Sequence, residues 1–153
     1  SFGVDCERLL GVPGIDFGTC HLYPSFAANE DATLFGSRWI REHIEAGQRA
    51  NKPMLIEEYG LEAGAATPTA RDNTFRIWLE EVTRNGGAGA LLWMIASTGF
   101  DGEPYPDYDH YTIYSAEEVP AVCAYSSTAS PAEPSRAEPV RPSDLVEFKP
   151  DED

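Results

Sequence analysis

The chain has 153 residues, enough for one domain, and a formal net charge of −15 at pH 7. That balance argues against nucleic acid or an anionic membrane as partner, because both require basic surfaces. No window approaches the roughly 18 apolar residues of a membrane span, and the three cysteines, Cys6, Cys20 and Cys123, have no metal-like spacing.

Residues 1–14 are rich in turn formers, with Gly3, Gly11, Gly14 and Pro13, and leave room for a short helical stretch around Arg8 to Leu10. Ile15 to Tyr23 reads as a strand rich in β-formers. Alternation sets Phe17, Thr19, His21 and Tyr23 on one face and Cys20 and Leu22 on the other. Cys20 is expected as a small buried apolar residue. After a polar loop, the spacing of Trp39, Ile40, His43 and Ile44 predicts a helix from about Leu34 to Ala50.

Asn51-Lys52-Pro53 stops that helix and leads into Pro-Met-Leu-Ile-Glu-Glu-Tyr-Gly, residues 53–60. Met54, Leu55 and Ile56 read as a strand buried on both faces, as in a parallel sheet. Adjacent acids do not belong inside such a strand, so Glu57 and Glu58 are expected at its carboxyl end, where parallel α/β folds place ligands and chemistry. Thr67-Pro68 reads as an N-cap followed by proline at the first helical position. Phe75, Trp78, Leu79 and Val82 give that helix its core stripe, and Asn85-Gly86-Gly87 ends it.

Gly89 to Ala96 is apolar throughout and reads as a third strand, again buried on both faces. A long loop runs from Ser97 to about Tyr114. Ser115-Ala116-Glu117-Glu118 fits a capping box, with Pro120 limiting the helix it starts. From about Ser126 the composition turns to Ser, Pro, Ala and acids, which predicts a disordered tail over 126–153 after a domain over 1–125. Strand, helix, strand, helix, strand and short helix is the order of βα units around a parallel sheet.

Each strand ends in a side chain able to do chemistry: His21 and Tyr23, then Glu57 and Glu58, then Trp93. A parallel sheet gathers such ends at one rim. A carboxylate beside a histidine, a tyrosine and a tryptophan suits a sugar, whose apolar face stacks on the aromatic ring while the polar groups take its hydroxyls. From the residues alone, solvated acids at a strand end are the better account of the doublet. His43, His110, Trp39 and Trp78 read as structural or unassigned. Asp107 and Asp109 read as turn acids that could also line a cleft or bind a cation.

Four motifs in order carry a more specific resemblance. These are His21-Leu22-Tyr23-Pro24, preceded by Ile15-Asp16-Phe17-Gly18-Thr19; Glu57-Glu58-Tyr59-Gly60; Leu92-Trp93; and Tyr105-Pro106-Asp107-Tyr108-Asp109 with Tyr111-Thr112-Ile113-Tyr114. Over about residues 1–125 the chain resembles the carboxyl-terminal portion of the β-mannanases of glycoside hydrolase family five. The resemblance implies an α/β fold, strands six to eight of a (β/α)8 TIM barrel. It also implies a retaining endo-hydrolase of β-1,4-mannosidic bonds in mannan-type polysaccharide, with no cofactor and no metal, and secretion from the cell.

By the same resemblance Glu58, directly before the aromatic-glycine pair, is the nucleophile. Tyr23 hydrogen-bonds it, His21 faces the substrate, and Trp93 floors the subsite of the reacting sugar. Alternation is expected to point Met54, Ile56 and Glu58 into the barrel and Leu55 and Glu57 toward the helices. A retaining glycosidase also needs an acid/base carboxyl group about 5–5.5 Å from the nucleophile. In the family that group follows an asparagine after strand four, and no Asn-Glu-Pro-like segment precedes strand six here. Asn29-Glu30 falls after that strand, in a helix-entry loop. The chain is therefore expected to be a partial, inactive enzyme. A non-catalytic carbohydrate-binding remnant and a related β-glucan hydrolase are the alternatives.

Overall fold

A computed structural model describes residues 5–26, 30–115 and 118–128. Asn29 and the tail beyond 128 lie outside the described residues. The elements are α1 (Cys6–Leu10), β1 (Gly18–Leu22), a 3-10 turn (Pro24–Phe26), α2 (Ala32–Arg49), β2 (Met54–Tyr59), α3 (Pro68–Arg84), β3 (Gly89–Leu92) and α4 (Pro120–Thr128). The three strands form one parallel sheet in the order β1-β2-β3.

Local chemistry sets the helix boundaries. Asp31 caps α2, its carboxylate accepting from the Leu34 N–H at 3.0 Å. Thr67 caps α3 through Ala70 N–H, with Pro68 in the first turn where its missing N–H does no harm. Past the Asn85 cap, Gly86 takes a left-handed φ of 73° that a side chain would resist. The expected stripe of α3 is buried as a set: Phe75, Trp78, Leu79 and Val82 are almost free of solvent. At about 1.5–3 kcal/mol for each side chain fully buried, that stripe is a principal anchor of the fold. Tyr59 at the end of β2 meets it edge-on, 5.4 Å from Phe75 and 6.3 Å from Trp78.

Helices and core lie on one side of the sheet, and this corrects two expectations. Met54 and Ile56 are 2% and 0% exposed and belong to the core with Ile40, Ile44 and the α3 stripe. They face the helices, opposite to the inward direction expected for them. Neither β2 nor β3 is buried on both faces. Phe17, Leu91 and Ile95 are 55%, 54% and 57% exposed on the open face, while Ala90 and Leu92 pack against the core.

The strands are also shorter than alternation and composition predict. β1 occupies the later part of the expected Ile15 to Tyr23, and β3 stops at Leu92. Beyond it, Ile95 pairs with Ile113 in an isolated bridge. At the carboxyl end Pro120 starts α4 and does not cut it short. Glu118 accepts from Ser115 N–H at 3.2 Å, one half of a capping box, and Asp72 accepts from Ala121 N–H at 2.9 Å. α4 carries the backbone through Thr128, so residues 126–128 of the predicted tail end a helix. No helix among the described residues is long and apolar enough to cross a membrane.

Candidate active site

A bulge in β2 builds the site. Cys20 pairs with Ile56, but the next residue, His21, pairs with Glu58, and Leu22 with Tyr59. On the other side Ile56 pairs with Ala90 and Tyr59 with Leu92, three steps along β2 against two along β3. Glu57 is the extra residue. Without it, a strand that buries both Ile56 and Tyr59 could not hold two residues between them; with it, Glu57 and Glu58 both reach the open side.

His21 of β1 stands between the two acids. One imidazole nitrogen lies 3.4 Å from Glu57 and the other 3.3 Å from Glu58. Tyr23, just past β1, donates its hydroxyl to Glu58 at 2.6 Å, a charge-assisted bond to a carboxylate. Burial, then the hydrogen bond and negative charge of Glu58, push the Tyr23 hydroxyl well above its ordinary value. Tyr23 thus keeps its proton and remains a donor. Glu58 is the more sheltered acid, its side chain 28% exposed against 47% for Glu57.

Trp93 leaves β3 at the same carboxyl end, its backbone N–H donating to the Tyr59 carbonyl at 2.9 Å. The Trp93–Met94 peptide is cis. The indole N–H donates to Asp109 at 2.7 Å, and the other Asp109 oxygen accepts from Tyr111 N–H at 3.1 Å. Tyr111 meets Tyr23 edge-on at 5.1 Å, and its hydroxyl lies 3.2 Å from Ser25. Behind them the buried Arg71 of α3 donates to the Tyr111 carbonyl at 2.7 Å and lies 5.7 Å over Phe75. Burial lowers the pKa of this guanidinium, with Glu118 and Asp107 pulling the other way.

All four residues expected in the site, His21, Tyr23, Glu58 and Trp93, therefore stand at the carboxyl ends of the three strands. Glu57, expected on the helix side, is instead in contact with His21. Asp109, which the sequence offers as a turn acid able to line a cleft, joins the site, as do Tyr111 and Gly60 of the quoted motifs and Arg71, none of which the sequence gives a role. The Tyr-Pro-Asp-Tyr-Asp motif pointed at the segment, but nothing in its spacing names Trp93 as the partner of Asp109. Cys20 packs against the core as expected, with burial pushing its thiol up to about 12. Among the described residues no cluster of His, Cys, Asp and Glu is arranged to hold a metal ion.

No protein-family model matches the chain. Over 124 residues it is 35% identical to mannan endo-1,4-β-mannosidase A of Podospora anserina, a match that takes in 79% of this chain and 30% of that protein. It superposes on the endo-β-1,4-mannanase of Thermotoga petrophila with a TM-score of 0.72 at 36% identity, covering 82% of this chain and 28% of that one. This chain is a homologue of the endo-1,4-β-mannanases. The endo-1,4-β-mannanase of Rhizomucor miehei superposes with a TM-score of 0.62 at 27% identity, over 82% of this chain and 34% of that one. The chain thus spans about a third or less of the length of these mannanases. Its small parallel sheet with covering helices is a partial α/β fold.

Proposed function

We propose that this chain carries the nucleophile side of a retaining β-mannanase site and corresponds to the last three βα units of the mannanase barrel. The observation that carries this reading is Glu58 at the carboxyl end of the central strand, bonded by Tyr23 at 2.6 Å and touched by His21 at 3.3 Å. A donor that keeps its proton stabilises the ionised carboxylate, the form that attacks.

In the reaction the Glu58 carboxylate attacks the anomeric carbon of a β-1,4-linked mannose unit, forming a glycosyl ester as the glycosidic bond breaks. The leaving oxygen takes a proton from an acid on the far side of that bond. Water, deprotonated by the same group, then releases the sugar with retained configuration. Trp93 offers its ring to the reacting sugar and His21 a polar contact. Glu57 is a poor candidate for the acid, because it leans on the same imidazole as Glu58 from the same strand, whereas the acid has to face Glu58 across the sugar. We assign the acid to a part of the barrel outside these 153 residues, so the chain alone is expected to release no reducing sugar from mannan.

The test is a chimera that joins the chain to the remaining βα units of the Thermotoga petrophila mannanase. Removing a covalent nucleophile closes the whole route, so Glu58→Ala should lower kcat by orders of magnitude and regain turnover with azide. Glu57→Ala should lose about tenfold to a hundredfold, as for other supporting groups, with no azide rescue. Azide rescue of the Glu57 variant, or full activity of Glu58→Ala, overturns the assignment.

A further inference from the structure

We propose that Asp109 is a positioning residue for sugar binding, fixing the plane of the Trp93 indole and coupling it to the Tyr23–Glu58 pair. This rests on the reading of Trp93 as a sugar platform. The two Asp109 oxygens have separate tasks: one accepts from the indole N–H at 2.7 Å, the other from Tyr111 N–H at 3.1 Å. Tyr111 in turn packs edge-on against Tyr23, which bonds Glu58. One carboxylate thus links the aromatic surface to the group that holds Glu58.

The need for such a clamp follows from exposure. Trp93 lies past the end of β3 and is 37% exposed, so packing alone does not hold its ring. A stacked sugar gains only when the ring already lies in the plane the sugar meets; a ring free to rotate has to be ordered at the moment of binding. A carboxylate acceptor also leaves the ring more electron-rich than a water acceptor does, which favours stacking against sugar C–H groups. The clamp has its own support, since Arg71 holds the Tyr111 carbonyl from below.

The experiment uses the whole 153-residue chain labelled with nitrogen-15, following the three indole N–H signals by NMR. Trp93→Phe identifies the signal of interest. Trp78, whose N–H donates to the Thr33 carbonyl at 3.2 Å, serves as the fold control. Asp109→Ala should move the Trp93 signal and speed its exchange with water about tenfold or more, leaving the Trp78 signal in place. Asp109→Asn, which keeps one acceptor oxygen, should fall between, and it stands in should the alanine variant fail to fold. Mannohexaose titrated into the same samples should bind the alanine variant about tenfold more weakly than the parent.

An unmoved Trp93 signal with unchanged exchange in the variants overturns the proposal, as does unchanged mannohexaose affinity. Failure of the unaltered chain to bind mannohexaose counts against the sugar reading itself, while the indole signals still decide whether Asp109 holds the ring.

Discussion

Gly60 shows how little room the site leaves. A Cβ there would stand 2.8 Å from the Trp93 carbonyl oxygen, 2.8 Å from the Tyr111 ring and 3.0 Å from the Tyr23 ring. The rings could shift, but the carbonyl belongs to backbone already bonded to Tyr59. Gly60→Ala should therefore destabilise the fold by about 1–3 kcal/mol, as overpacking does, and pull Tyr23 away from Glu58. Urea unfolding followed by fluorescence checks this, and an unchanged midpoint would contradict it. The glycine in Glu-Glu-Tyr-Gly is thus required by three neighbours that arrive from β1, β3 and the loop beyond, none of them legible in the motif itself.

At the scale of elements, α2 and α3 meet through a similar close approach. Gly36 lies on the buried face of α2, and a Cβ there would come within 2.3 Å of the Trp78 indole. In an exposed helix Gly→Ala stabilises by about 1 kcal/mol. Here the sign should reverse, with Gly36→Ala costing about 1–3 kcal/mol as Trp78 is pushed from its place. A raised melting temperature for that variant would refute the contact. The helices themselves were readable because their signals are local: an N-cap, a proline, a stripe at helical spacing, a glycine at the end. The facing of β2 was not. Alternation counts every residue as one step, and a bulge breaks the count through pairing with strands far away in sequence. The resemblance puts Glu58 in the site, while strict alternation points Met54 and Ile56 the wrong way. Exposure on the open face was likewise hidden, because an apolar run looks the same whether one face or both are covered.

At the scale of the whole molecule, that open face is an exposed apolar surface. Phe17, Leu91 and Ile95 are each more than half exposed there, and β1 and β3 are the edges of the three-stranded sheet. Exposed apolar area beside unpaired strand edges favours association. The net charge of −15 works against it through repulsion between copies. Salt screens the repulsion and leaves the apolar attraction, so self-association should grow with ionic strength. Sedimentation velocity at low and high salt tests this; a monomer throughout would show that the face is covered or less adhesive than its side chains imply.

The extra residue in β2 has one further consequence. Omit Glu57 and the strand reads Met54, Leu55, Ile56, Glu58, Tyr59, in strict alternation, with Tyr59 still meeting Phe75 and Trp78 and Glu58 still opposite His21. In its backbone accounting the doublet is one position occupied twice. Loss of a single codon here would keep the phase of everything around it, whereas a codon lost at Leu55 or Ile56 would keep Tyr59 inward only by turning Glu57 into the core in place of Ile56. The chain can therefore vary in length at this point without disturbing the carboxylate beside Tyr23.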